Sequence, residues 1–221
     1  MVPTIDLSHP ISDGLVTYPG LPAPQIGAHL TREASRERYA PGFEFHIGSI
    51  TMVGNTGTYL DTPFHRFADG WDLADLDLAK VAAVPAVVFD GAALGPTSVD
   101  VLANTDVGGR AVLVRTGWDR HFGTDAYGDP SHPFLATDLA EALVAAGAAL
   151  VGIDSVNIDG TSTGERPVHT ALLGAGIPIV EHLRGLDALG APGVVPFTFT
   201  AVPAPVRGCG TFPVRAFATV G

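Results

Sequence analysis

A chain of 221 residues, 46% of them hydrophobic, holds enough apolar material for one large core, and this excludes a disordered protein. Its charge is skewed, with 12 Lys and Arg against 23 Asp and Glu for a net of −11, which argues against nucleic-acid binding and against docking on anionic membranes. Cys209 is the only cysteine, so no intrachain disulfide forms and the expected compartment is the reducing cytoplasm.

The segment from Met1 to Asp6 lacks a basic or apolar leader, so no signal peptide is expected. No apolar run approaches the roughly 20 residues that span a bilayer. Val2 to Leu7 reads as a first strand. The prolines of Leu21-Pro22-Ala23-Pro24 predict an ordered loop, and Glu33 to Tyr39 a polar surface segment or flap. Phe43 to Ile50 alternates as a strand should.

The next stretch, Gly54 to Arg66, is dense in side chains that donate, accept or ligate. Its threonines and aromatics favour extended backbone, in which residues two apart share a face. Asn55, Gly57, Tyr59, Asp61, Pro63 and His65 then line one side, with an amide, a phenol, a carboxylate and an imidazole. A half-buried strand of purely structural use would carry Val or Ile there, so this face reads as the wall of a site.

Further on, Leu73 to Ala82 and Ser98 to Leu102 predict short helices. Val84 to Asp90, Ala111 to Arg115 and Ala149 to Asp154 predict buried strands. Thr137 to Ala146 predicts a helix, with Thr137 as its N-cap and Gly147 as its stop. Thr170 to Leu173 predicts another helix, and Ile177 to Val180 a strand ending at Glu181. Val195 to Val202 and Val214 to Val220 complete the strands. Near-continuous apolar strands between helices predict an α/β domain. The irregular first third suits a mixed, partly barrel-like sheet better than a plain βα alternation. No linker or repeat divides residues 1–221.

Asp154 and Glu181 end apolar strands, where α/β folds deliver functional groups. Asp61, His65, His169 and Glu181 together offer two carboxylates and two imidazoles. Such mixed donors suit Zn²⁺ or Mn²⁺ and the activation of water. Phosphate-cradling loops, dinucleotide fingerprints and the Gly-x-Ser-x-Gly elbow do not occur.

The run Asn55-Thr56-Gly57-Thr58-Tyr59-Leu60-Asp61-Thr62-Pro63-Phe64-His65 resembles the His-x-Gly-Thr-His-x-Asp-x-Pro-x-His hallmark of the cyclase family, which includes bacterial kynurenine formamidase and isatin hydrolase. The resemblance continues through Asp6-Leu7-Ser8-His9-Pro10-Ile11, Tyr18-Pro19-Gly20, Arg115-Thr116-Gly117-Trp118, Gly152-Ile153-Asp154-Ser155, His169-Thr170-Ala171-Leu172-Leu173 and Ile177-Pro178-Ile179-Val180-Glu181. It implies a mixed β/α domain with a barrel-like sheet, assembled as a homodimer or larger oligomer. It also implies a divalent metal, Zn²⁺ or Mn²⁺, that activates water against a small-molecule amide. Asp61, His169 and Glu181 match its metal ligands and His65 its proton shuttle. Asn55 and Tyr59 stand where the family places two metal-binding histidines.

Three readings follow. In the first, an amide hydrolase holds metal through Asp61, His169 and Glu181, with His65 as acid and base, Tyr59 near the oxyanion, and Trp118, Phe64 and Asn55 against the substrate. In the second, a metal-free cyclase, dehydratase or isomerase uses Tyr59 and His65. In the third, a non-catalytic relative binds a ligand. The hydrolase leads.

Overall fold

Strands covered on both faces need apolar residues at nearly every position, and the middle of this chain supplies them. In the computed structural model, which describes residues 3–102, 105–193 and 196–221, the strands are β1 Thr4–Asp6, β2 Gln25–Leu30, β3 Ile47–Thr51, β4 Tyr59–Asp61, β5 Val84–Asp90, β6 Pro96–Thr97, β7 Ala111–Arg115, β8 Phe134–Leu135, β9 Leu150–Ile153, β10 Ile179–Glu181, β11 Phe197–Thr200, β12 Thr211–Pro213 and β13 Phe217–Val220. The helices are α1 Arg32–Ser35, α2 Thr137–Ala145 and α3 Pro167–Gly174.

Nine strands form one sheet in the order β1-β13-β11-β5-β7-β9-β10-β4-β12. The centre, β5-β7-β9-β10, is parallel, and both flanks are antiparallel. The sheet curls into a half-barrel, as the mixed, partly barrel-like expectation required. Alternation sorts its side chains into two cores. Leu60, Leu113, Val180 and Phe199 enter one. Val112, Val114, Val151 and Ile179 enter the other, beneath Leu139 and Leu143 of α2 and Leu172 of α3. No helix of the described residues is long and apolar enough to cross a membrane.

Several local expectations shift. Val2 and Val195 lie outside the described residues, and the strands expected from them begin at Thr4 and Phe197. Leu73 to Ala82 is two 3₁₀ turns instead of one helix, because Asp72 and Asp77 each accept the N–H two residues on and start a fresh turn. Residues 98–102 likewise hold a 3₁₀ turn, Val99–Leu102. The N-cap of α2 is Ala136, which makes no side-chain cap, and Thr137 is already helical. β2 and β3 pair only with each other, as an exposed ribbon that carries α1 at its turn.

Candidate metal and catalytic site

Within Gly54 to Arg66 the strand runs only from Tyr59 to Asp61, and it stops before Pro63, which has no N–H to give a ladder. A 3₁₀ turn, Pro63–His65, then swings His65 back toward Asp61. β4 runs between β10 and β12, and the register does the rest. Tyr59 stands opposite Glu181, and Asp61 opposite Thr211. Tyr59 and Asp61, two apart, face the same way.

Asp61 is fully buried, and its Oδ2 has no hydrogen-bond partner among the described residues. His169 Nε2 lies 3.8 Å from that oxygen and 3.7 Å from Glu181 Oε1. His65 Nδ1 is 3.8 Å from Asp61 Oδ1. One ligating atom from each of Asp61, His65 and His169 lies within 4.8 Å of the others. Glu181 stands beside this triad with both oxygens engaged: Oε1 accepts from the Ile158 N–H at 2.6 Å and Oε2 from the Tyr59 hydroxyl at 2.7 Å.

The buried Asp159 carboxylate holds His169. It accepts the Val168 and His169 N–H groups at 2.7 and 3.0 Å, which satisfies the first turn of α3 in place of Arg166, the N-cap residue, whose side chain makes no cap. It also lies 2.7 Å from His169 Nδ1. The Nδ1 hydrogen therefore points at Asp159, and Nε2 faces Asp61 and Glu181. Burial opposes charge on His169, but Asp159, Asp61 and Glu181 prevail and raise its pKa to about 10. A cation held by His169 Nε2 would have to displace the proton there. Burial works to raise the Asp61 pKa, yet the imidazoles of His169 and His65 hold it below the usual carboxylate range. Burial, with Asp61 nearby, lifts Glu181 to about 7.

A second polar run lies behind Glu181. His182 Nε2 is 3.1 Å from the Tyr59 hydroxyl, and its Nδ1 is 2.7 Å from the Tyr127 hydroxyl. Burial pushes the His182 pKa down to about 3, so the ring is neutral. Tyr59 gives its hydrogen to Glu181, so its oxygen accepts from His182 Nε2, and Nδ1 accepts from Tyr127. Burial and the carboxylates of Glu181 and Asp61 push the Tyr59 pKa well above its ordinary value of 10.0.

A cavity of about 300 Å³ opens onto these groups, lined by Asn55, Tyr59, His65, His169 and Glu181 and by the cations Arg66 and Arg166. The structure thus brings together Asn55, Tyr59, Asp61, His65, His169 and Glu181. His169 sits inside α3, which begins three residues earlier than expected at Pro167. Trp118 and Phe64 are not among the cavity's lining residues. Trp118 packs on Tyr127 and Val156 and donates its indole N–H to the Tyr127 carbonyl, and Phe64 is half-buried on the 3₁₀ turn. Asp154 is consumed structurally: it accepts from Thr116 and Gly117 and ties β9 to the end of β7. Sequence reasoning missed Asp159, His182, Tyr127 and Thr211. Only Asp159 left a local signal, a carboxylate shortly before a Pro-initiated helix.

The curled mixed sheet, with buried Asp61 and His169 and the more exposed His65 gathered at a small cavity, defines an α/β protein whose donor set fits a divalent metal ion. The family model described as "Putative cyclase" matches residues 5–160. Kynurenine formamidase of Geobacillus thermodenitrificans is 31% identical over 221 residues, covering 98% of this chain and 97% of the relative. That of Bacillus cytotoxicus is 31% identical over 180 residues, 81% of each chain. Isatin hydrolase A from Ralstonia solanacearum shares the fold with a TM-score of 0.81 at 22% identity, covering 100% of this chain and 92% of that one. A potential metal-dependent hydrolase with cyclase activity superposes with a TM-score of 0.78 at 24% identity, over 99% and 98%. The chain belongs to the cyclase family.

Proposed function

We propose that this protein hydrolyses the C–N bond of a small amide, like the reaction for which its formamidase relatives are named, with a divalent cation at Asp61 and His169 and with Glu181 beside them. The observation that carries this reading is Asp61 Oδ2. A fully buried carboxylate oxygen without a donor is costly, and a cation removes that cost. The mixed nitrogen and oxygen donors suit Zn²⁺ or Mn²⁺. A bound ion supplies the Lewis acidity that makes water nucleophilic at neutral pH.

The chain's own residues do the rest. Asp159 keeps the His169 lone pair turned to the site. His65, with 36% of its side chain exposed, stands at the cavity lip. There it takes a proton from water and returns one to the leaving amine. Arg66 and Arg166 favour a substrate that also carries negative charge. The metal-free reading asks Tyr59 to donate a proton, but its hydrogen is committed to Glu181 and its pKa is raised.

The reading includes self-association through the β2–β3 ribbon. Ile26, Tyr39, Phe43, Phe45, Ile47 and Ile50 are exposed there. Residues 25–51 carry Arg32, Arg36 and Arg38 against Glu33, Glu37 and Glu44, a neutral segment in a chain of net −11. Two copies can meet there without net charge repulsion. Sedimentation of wild type as a dimer, and of Ile47→Glu/Ile50→Glu as a monomer, checks this.

Elemental mass spectrometry of untagged protein, paired with hydrolysis of N-formyl aromatic amines, tests the main reading. About one ion per chain, lost in Asp61→Ala and His169→Ala, is expected. A wild type that takes up no ion from Zn²⁺ or Mn²⁺ solutions overturns it.

A further inference from the structure

Thr211 on β12 stands directly across from Asp61 on β4. Its hydroxyl meets two groups at once, Asp61 Oδ1 and, at 2.8 Å, His65 Nδ1. A hydroxyl has one hydrogen to give, and a carboxylate oxygen only accepts. The hydrogen therefore goes to Asp61, and the Thr211 oxygen is left to accept from His65. Nδ1 must carry the imidazole hydrogen. The other ring nitrogen, Nε2, makes no protein hydrogen bond among the described residues, on a ring that lines the cavity.

The backbone around Thr211 has little freedom. Thr62 gives both its N–H and its hydroxyl to the Gly210 carbonyl, at 2.8 and 3.0 Å. A Cβ on Gly210 would collide with the His65 backbone, so glycine is what lets β12 come this near the Pro63–His65 turn. A Cβ on Gly54 would collide with the Thr211 carbonyl from the other side. The β-branch of threonine restricts χ1, so the hydroxyl is aimed along with the backbone.

We infer that Thr211 is a positioning residue: it relays from the Asp61 carboxylate, holds His65 in the Nδ1–H tautomer, and so presents Nε2 to the cavity as a proton acceptor. The use of that lone pair rests on the hydrolase reading; the tautomer does not. A base with its hydrogen on the wrong nitrogen has nothing with which to take a proton from water.

The test is a long-range ¹H–¹⁵N correlation spectrum of ¹⁵N-histidine-labelled protein at pH 8, with His65 assigned by the signals lost in His65→Gln. The wild type and Thr211→Ser should show the Nδ1–H pattern, and Thr211→Val a shift toward Nε2–H. Wild-type His65 with its hydrogen on Nε2 overturns the inference whether or not any variant folds, as does Thr211→Val with the pattern unchanged. In turnover, Thr211→Val should lower kcat roughly 10- to 100-fold at unchanged KM, with Thr211→Ser restoring most of it. Unchanged kcat in Thr211→Val denies the residue its role. A protein that shows the locked tautomer yet cleaves no amide keeps this inference and loses the hydrolase reading.

Discussion

His169 and Asp159 form a fixed pair: the imidazole gives its Nδ1 hydrogen to a carboxylate 2.7 Å away that also accepts two N–H groups from the start of α3. One side chain thus sets both where the helix begins and which nitrogen it offers to the site.

Asp159→Asn separates these two duties. The amide keeps one acceptor for the helix but no longer enforces the Nδ1–H tautomer. Metal affinity should fall about 10- to 100-fold by isothermal titration. Stability should fall about 1 kcal/mol by urea denaturation, the usual scale of a lost helix cap. Unchanged affinity would mean that Asp159 serves the helix alone.

Tyr59→Phe leaves Glu181 Oε2 without its donor and His182 Nε2–H without its acceptor, both fully buried. A buried polar group left unsatisfied costs roughly 1–3 kcal/mol. The variant should be destabilised by that order in a denaturant melt and still turn over substrate. Complete loss of turnover in a folded, metal-loaded Tyr59→Phe would restore the acid role for the phenol.

Acid should weaken the fold partly through His9. Its ring stacks on Phe122, with centroids 3.6 Å apart, and burial, helped by Arg184, lowers its pKa to about 4. The unfolded chain takes up this proton near 6.5 and the native one near 4, so the contribution is full above pH 6.5 and shrinks as pH falls toward 4. His9→Phe keeps a stacked ring and removes the proton. The stability of wild type relative to His9→Phe should drop across that window, and a difference independent of pH would assign acid sensitivity elsewhere.

Gly210→Ala tests the close approach of β12. With a Cβ forced against the His65 backbone, overpacking should cost about 1–3 kcal/mol in chemical denaturation, and turnover should fall with it. An alanine variant as stable as wild type would mean that the strand has room to spare.

What could be seen in the sequence follows from how local each cause is. β5, β7 and β9 read as apolar runs because strands covered on both faces leave no polar position. Asp61 and Tyr59 stood out because they put polar groups where a buried strand expects Val. β12 has three residues after a Gly-rich turn, the last of them a proline, too few for any period to register. The roles of Thr211 and His182 arise only when β12 and β10 align against β4, which nothing within a few residues of either announces. The exclusion of Trp118 from the cavity is of the same kind, since its partner Tyr127 is engaged with His182.

Asp61 and Thr211 are separated by 150 positions along the chain, and Tyr59 and Glu181 by 122. A ribosome that has released the polypeptide as far as Asp154 has therefore made the core strands β5, β7 and β9 but neither neighbour of β4. Until β10 and β12 emerge, β4 has no strand to pair with, and Asp61 is gathered with neither Glu181 nor Thr211. On the proposed function, metal loading would then be a late event in the life of the nascent chain, one that waits for β10 and β12 to dock on β4.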